Sequence, residues 1–121
     1  MLGIDIVYIP RFRRILNAAY GHLMIERIFS QEEYDSSKNA KIINNKIVIH
    51  LAGIFAAKEA IIKASLGMLK LDDMRRIIIY NSSEGIPYVK IIDNGSTAEF
   101  DISISHDQDY AVAIAQRKDR I

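Results

Sequence analysis

Residues 51–64 read LAGIFAAKEAIIKA, and this stretch decides the fold. It lies within a longer segment, from about Lys46 to Leu66, whose apolar residues recur at the spacing of one helix face, and Gly67 stands where such a helix would end. The pattern predicts one long helix in the middle of the chain. Its core stripe is Leu51, Phe55, Ile62 and Leu66, with Ile47 and Ile54 beside it.

The segment before this helix predicts a strand followed by a helix. Residues 2–9 are dominated by Ile, Val and Leu and end at Pro10, which is typical of a buried strand with a firm stop. Residues 11–20 carry apolar side chains at helical spacing, and Gly21 could end that helix.

The rest of the chain predicts a short helix, a polar connection and then strands. Ser30-Gln31-Glu32-Glu33 is a capping box, which predicts a short helix from near Glu32. Residues 38–45 are polar and predict a loop or a frayed helix end. Beyond the long helix, strands are predicted at 76–80, 86–92, 100–105 and 110–115, with turn-rich breaks at 81–85, 93–96 and 106–109.

These elements predict the α+β class. Sequential strands with short breaks favour an antiparallel meander, and the long helix needs a sheet against which it can bury its apolar face. We therefore expect an early strand, short helices and an antiparallel sheet packed on the long helix. A length of 121 residues predicts a single domain spanning residues 1–121.

Composition argues against several kinds of function. The formal net charge of +1 provides no basic field for nucleic acid. Cysteine is absent, so disulfides and thiolate metal sites are excluded. The N-terminus does not read as a signal peptide, and no apolar run has the length needed to span a bilayer. We expect a cytoplasmic protein that binds neither nucleic acid nor membrane.

Three polar residues occupy positions where the pattern favours apolar ones. Asp5 lies between Ile4 and Ile6 in the first strand. Glu59 lies on the core stripe of the long helix, and His106 ends a predicted strand on its apolar side. A buried carboxylate is costly unless it is paired or binds a cation, and two carboxylates drawn together repel. A shared divalent cation removes both problems, and an oxygen-only site favours Mg²⁺.

Each of these residues also has an ordinary structural interpretation. Asp5 could be a hydrogen bonder at a strand edge, and His106 could be a turn histidine. Lys63 lies one turn after Glu59, so it could stabilise the helix as a pair with Glu59 or could hold a phosphate. The residues alone therefore indicate only a divalent-cation site with a phosphate ligand. No role is assigned to two other histidines, His22 and His50.

Matches to a known family occur at these same residues. They are GIDIV at 3–7, ERIFSQEE at 26–33, the stretch 51–64, GIP at 85–87 and ISISH at 102–106. The matches stand in family order and span nearly the whole chain. The sequence thus resembles the holo-[acyl-carrier-protein] synthase family, the short trimeric type of the 4′-phosphopantetheinyl transferases.

The resemblance implies an enzyme that moves 4′-phosphopantetheine from coenzyme A to a serine of apo acyl carrier protein, releasing adenosine 3′,5′-bisphosphate. Asp5 and Glu59 would hold Mg²⁺ or Mn²⁺ with the coenzyme A pyrophosphate, and Lys63 would stabilise that pyrophosphate. These three residues would be catalytic. Coenzyme A would also contact four further residues: Lys46, Pro87, Ser105 and His106. Of these, His106 would lie near the adenosine and its 3′-phosphate.

The resemblance also implies partners. Short members of the family form trimers with sites at subunit interfaces, so we expect a homotrimer. The carrier protein is acidic, and a basic cluster on the predicted first helix would meet it: Arg11, Arg13 and Arg14. Taken alone, such a cluster is equally typical of a solvated helix face.

The sequence departs from the family pattern around the coenzyme A site. Ile54 stands where the family has an arginine that holds coenzyme A, so we expect weaker binding. The turn after the long helix reads Leu66-Gly67-Met68-Leu69, with one glycine, and the basic run near Lys46 is thin. Two alternatives therefore stay open: a metal-dependent nucleotide or coenzyme A phosphohydrolase, and a non-catalytic module that binds coenzyme A or the carrier.

Overall fold

The computed structural model describes residues 1–36, 44–92 and 98–118. A strand opens the chain, three short helices and one long helix follow, and four strands close it. In chain order the elements are β1 Leu2–Tyr8, α1 Ile9–Asn17, α2 Gly21–Ile28, α3 Gln31–Ser36, α4 Asn45–Ala64, a 3₁₀ helix Leu71–Arg76, β2 Ile77–Asn81, β3 Pro87–Ile91, β4 Glu99–Asp107 and β5 Tyr110–Lys118.

The strands form two antiparallel sheets in the part of the chain that the structure describes. One has the order β1-β5-β4, and the other is the hairpin β2-β3. The single meander that strand spacing suggested is therefore wrong in detail: β3 and β4 belong to different sheets, and β5 pairs on one side with β1. The predicted α+β class, with an early strand and a long helix on antiparallel sheet, is confirmed.

Small residues bring α4 close to the sheet. Ala111, Ala113 and Ala115 of β5 are buried beneath it. Gly3 of β1 makes the tightest contact, because a Cβ at this position would lie 2.0 Å from the carbonyl oxygen of Ala60. The backbones of β1 and α4 can therefore touch only where β1 lacks a side chain.

Several predicted boundaries are confirmed and others are wrong. The capping box is present: the Ser30 amide donates to Glu33 Oε1 at 2.8 Å, and the Glu33 amide donates to Ser30 Oγ at 3.2 Å. Leu66 is not part of the core stripe, because α4 ends at Ala64 and Leu66 is 61% exposed in a left-handed conformation.

The boundaries of β1, α1 and α2 also differ from the prediction. Pro10 lies in the first turn of α1, where its missing N–H costs nothing, so the strand stops at Tyr8. Gly21 begins α2 instead of ending α1, and a Cβ there would come within 1.9 Å of the Leu16 carbonyl oxygen. Most of the predicted connection at 38–45 and the predicted break at 93–96 lie outside the described residues.

None of the helices in the described ranges combines the length and the apolar character needed to cross a membrane.

Candidate active site

Two carboxylates lie at the contact between β1 and α4. Alternate residues of β1 turn towards α4, so Asp5 shares the inner face with Gly3, while Ile4 and Ile6 on the outer face are 61% and 62% exposed. Glu59 precedes Ala60, the residue that touches Gly3. The close backbone approach thus brings the Asp5 and Glu59 carboxylates near enough for the charge of one to act on the other.

The charges at this contact influence one another. Burial raises the pKa of Glu59, the charge of Asp5 raises it further, and Lys63 lowers it. The Lys63 ammonium donates to Asp5 Oδ1 at 3.1 Å and to the Ile4 carbonyl oxygen at 2.9 Å. The sequence left Lys63 either as a partner of Glu59 or as a phosphate ligand; in the structure its ammonium pairs with Asp5 and also acts on Glu59 through its charge. One ammonium faces two carboxylates, which leaves negative charge for a further cation.

The ligand set at this contact suits a hard cation. Among residues 1–36, 44–92 and 98–118, no group of three or more His, Cys, Asp or Glu side chains could hold a metal. Two carboxylates fit an ion of the Mg²⁺ kind, which is commonly held by one or two protein carboxylates and completes its shell with water and substrate phosphates.

A second group of predicted residues lines a pocket at the other end of α4. The pocket has a volume of about 640 Å³, and we call it the α4 pocket. Lys46 comes from the first turns of α4, Pro87 from β3 and His106 from β4, so three of the predicted coenzyme A contacts lie together. The other lining residues are Glu32, Ile49, His50, Gly53, Ile54, Ile79, Tyr80, Asn81, Gly85 and Ile104.

Ile54 and Ser105 are placed differently from the rest of the predicted contacts. Ile54 is buried but lines the α4 pocket, so it belongs to the pocket wall as well as to the core. Ser105 is exposed and pairs with Val112 of β5, which places it on the opposite face of the sheet from Ile104 and His106.

The two groups of predicted residues are far apart along the helix. Lys46 and Glu59 are 13 positions apart on α4, which corresponds to about 20 Å at 1.5 Å per residue. The two carboxylates and the α4 pocket are therefore separate sites on one chain. A larger cavity of about 900 Å³ between α2, α3 and the 3₁₀ helix contains none of the predicted site residues.

The basic cluster of α1 is only partly free. Arg11 and Arg14 are exposed, and the Arg11 guanidinium lies 5.6 Å from the ring centre of Tyr8. Arg13 is half-buried and donates to Asn45 Oδ1 at the start of α4. Two of the three arginines can therefore meet a partner directly, and the third ties α1 to α4.

Sequence reasoning missed a buried ion pair next to the site. Lys58 and Glu33 are both 0% exposed, with 2.6 Å between Nζ and Oε1. The Lys58 ammonium also donates to the carbonyl oxygens of Ile28 and Met74, and Glu33 Oε2 accepts from the Ile79 amide. Burial lowers the pKa of Lys58, and Glu33 opposes that shift. The pair joins α4 to α3, β2 and the 3₁₀ helix.

Comparison with known proteins identifies the class. A family model described as the 4′-phosphopantetheinyl transferase superfamily matches residues 1–115. The chain is 36% identical over 113 residues to a holo-[acyl-carrier-protein] synthase of Ehrlichia chaffeensis, covering 93% of this chain and 90% of the relative. It is 38% identical over 118 residues to one from Chlorobium chlorochromatii, covering 94% and 96%.

A solved structure extends the likeness to the fold. The holo-[acyl-carrier-protein] synthase of Helicobacter pylori, crystallised in complex with coenzyme A, superposes with a TM-score of 0.78 at 28% identity, covering 98% of this chain and all of the other. The chain therefore belongs to the holo-[acyl-carrier-protein] synthase family of this superfamily. The family predicted from sequence is confirmed, and with it the prediction of a phosphopantetheinyl transferase.

Proposed function

We propose that this chain transfers 4′-phosphopantetheine from coenzyme A to a serine of apo acyl carrier protein. The observation that carries the proposal is the contact between β1 and α4, where Asp5, Glu59 and Lys63 meet in a chain of this family. Phosphoryl transfer needs little covalent chemistry from the protein, and catalysis comes mostly from positioning and charge neutralisation. Two carboxylates and one ammonium would provide both once the carboxylates hold a divalent cation.

Each of these side chains has a distinct role in the proposed reaction. Asp5 and Glu59 would hold Mg²⁺ or Mn²⁺, which when bound would neutralise charge on the coenzyme A pyrophosphate. Lys63, 53% exposed and already turned towards Asp5, would contact the same pyrophosphate. The negative charge that Lys63 leaves uncompensated at Asp5 and Glu59 supports this assignment.

The reaction itself forms one bond and breaks one. The serine oxygen of the carrier bonds to the phosphorus that bears the pantetheine arm. The bond from that phosphorus to the bridging oxygen of the pyrophosphate breaks, and adenosine 3′,5′-bisphosphate leaves with the electron pair. The serine proton passes to a base, for which Glu59 and a water held by the metal are the candidates.

We further propose that the protein works as a homotrimer. The outer face of β1 is apolar and uncovered in the single chain, with Leu2, Ile4 and Ile6 all more than half exposed. Ile114 of β5, the register partner of Ile4, extends this exposed face. Such a patch is typical of an interface, and a second copy of the chain would cover it.

Assembly would also join the two separated groups of residues. One copy would supply Asp5, Glu59 and Lys63, and its neighbour would supply the α4 pocket, so that one coenzyme A spans both. Ser105 supports this arrangement, because it lies on the outer face in register with Val112, the partner of Ile6. There it would meet the neighbouring copy and the substrate that the neighbour holds.

The acyl carrier protein would bind near α1. Its acidic surface would meet the exposed Arg11 and Arg14, which steer encounter more than they add affinity. Arg13 would contribute through its hold on Asn45, since it is half-buried and already bonded.

The function is tested by mass spectrometry of an apo acyl carrier protein incubated with this chain, coenzyme A and Mg²⁺. We expect the carrier to gain the mass of phosphopantetheine only when all three are present. Release of adenosine 3′,5′-bisphosphate without any gain of mass by the carrier would instead indicate hydrolysis, and would contradict the proposal.

A further inference from the structure

His50 lies in the wall of the α4 pocket, although the sequence assigns it no role. It stands one turn after Lys46 and one turn before Ile54, so the three share a face of α4. Its Nε2 atom is buried and has no hydrogen-bond partner among the residues that the structure describes. A buried polar nitrogen without a partner is rare in folded proteins and calls for an explanation.

The rest of the α4 pocket suits the nucleotide end of coenzyme A. Ile54, Ile79 and Ile104 provide apolar walls for a flat base. Lys46 provides a positive charge, and the imidazole of His106 provides a further hydrogen-bonding group. Ile54 itself supplies no charge, so the face of α4 that begins with Lys46 has only His50 as a further polar group within two turns.

We propose that His50 contacts the 3′-phosphate of coenzyme A, with Lys46 and His106 completing the phosphate subsite. This inference rests on the proposed function, because it takes coenzyme A as the ligand. The His50 side chain as a whole is only half-buried in the pocket wall, so a rotation of its ring would bring the nitrogen that lacks a partner to the phosphate oxygens. Ile54 then forms the apolar wall next to the phosphate instead of a second cationic contact.

The surroundings of His50 determine whether its imidazole is protonated. Burial lowers the pKa of His50, and the charge of Glu33 opposes that shift, so the pocket without a ligand favours the neutral imidazole. A phosphate dianion favours the protonated ring, in which both nitrogens donate, and the proton comes from solvent. The titratable and charged groups around His50 are Glu32 and Glu33 of α3, Lys46 of α4, Tyr80 of β2, His106 of β4, and Lys90 of β3, which pairs with Glu32.

The decisive comparison uses coenzyme A and dephospho-coenzyme A, which differ only in the 3′-phosphate. Calorimetric titration of both ligands into the wild type and into His50→Phe separates a phosphate contact from packing, because Phe keeps an aromatic ring and loses Nε2. We expect Kd for coenzyme A to rise about tenfold in His50→Phe, the size of one charge-assisted hydrogen bond, and Kd for dephospho-coenzyme A to stay within about twofold. His22→Phe, at an exposed histidine of α2, is the matched control and should leave both values unchanged.

A measurement on the unaltered protein covers the case in which His50→Phe does not fold. The imidazole signals of His50 are followed by NMR against pH with each ligand bound. We expect the pKa of His50 to be higher with coenzyme A than with dephospho-coenzyme A. Equal values, or an equal loss of affinity for both ligands in His50→Phe, would overturn the inference while leaving the transferase activity intact. Discrimination that depends on His50, without any transfer to an apo carrier, would contradict the proposed function alone.

Discussion

The two ends of α4 are built in different ways. Towards its C-terminal end, α4 touches β1 so closely that a Cβ at Gly3 would lie 2.0 Å from the Ala60 carbonyl oxygen. Towards its N-terminal end, α4 and the strands β2, β3 and β4 together line a pocket of about 640 Å³. The tight end fixes two carboxylates by backbone contact, and the open end would select a ligand through the side chains of its wall.

The difference explains where the chain keeps its family motif and where it changes. Moving Asp5 or Glu59 would require moving a strand against a helix whose backbones are already in contact. At the open end a side chain can be exchanged with little effect on the backbone, and there Ile54 stands where the family resemblance predicts an arginine, with His50 one turn away. The end that carries the proposed catalytic carboxylates is therefore constrained by packing, and the end at the α4 pocket is free to vary.

The largest expected effect concerns the ion pair that holds α4 between its two ends. Glu33→Gln would leave the Lys58 charge buried without its partner, which costs about 3–5 kcal/mol of the free energy of unfolding. Urea denaturation measures this loss. The matched control is Glu32→Gln, since Glu32 is exposed and its pair with Lys90 should be worth less than about 1 kcal/mol. Similar losses for the two variants would mean that the buried pair does not anchor α4.

The next effect tests the tight end. Glu59→Gln keeps the shape of the side chain and removes its charge, so transfer should fall about 10²–10³-fold, as when one preorganised electrostatic contact is lost. Turnover is followed by holo-carrier formation at saturating coenzyme A. Glu84→Gln, in the exposed turn between β2 and β3, should transfer like the wild type. Near-normal turnover of Glu59→Gln at limiting Mg²⁺ would rule out a shared cation site.

A smaller effect tests the open end. In Ile54→Arg the aliphatic part of the arginine would replace the isoleucine in the wall, and the guanidinium would enter the α4 pocket. We expect coenzyme A to bind about tenfold more tightly, since one charge-assisted contact is gained. Thermal melting of the variant serves as the control for core damage. A variant that melts like the wild type but binds coenzyme A no better would show that His50 and Lys46 already satisfy the phosphate.

The smallest effect concerns the carrier surface, away from both ends. Arg11→Ala and Arg14→Ala should each raise KM for the carrier a few-fold at low salt and leave kcat unchanged, because exposed charges act mainly on encounter. Steady-state kinetics at two salt concentrations measure this. Arg13→Ala should show a weaker salt dependence, since Arg13 is half-buried and bonded to Asn45. Carrier kinetics insensitive to salt in all variants would exclude α1 as the docking helix.

Much of the fold could be predicted because the pattern is local. The long helix, the capping box and the four later strands follow from periodicity and turn residues, and the structure confirms them. Leu66 and Gly21 were misplaced because a helix end depends on what the next turn packs against. The pairing of β1 with β5 joins the two ends of the chain and has no local signal.

The residues within the family motifs could be predicted from the sequence, but the contacts that other residues make with them could not. Asp5 and Glu59 stand out as acidic residues in apolar patterns, which is a signal that a sequence carries. Glu33 was interpreted only as part of a capping box, although the same carboxylate also binds Lys58 25 residues later. His50 gave no signal at all, because the loss of hydrogen bonding at Nε2 exists only once the helix is packed.

The central claim is that one copy supplies the carboxylates and its neighbour supplies the α4 pocket. Glu59→Gln and the double variant Lys46→Ala/His106→Ala are unfolded together, refolded as a 1:1 mixture and assayed for transfer to an apo carrier at a low coenzyme A concentration, at which each component alone retains little activity. Random assembly would join an intact carboxylate pair to an intact pocket at about a quarter of the interfaces, so we expect about a quarter of wild-type activity. A mixture that stays as inactive as its two components would contradict the shared site, because each chain would then need both groups for itself.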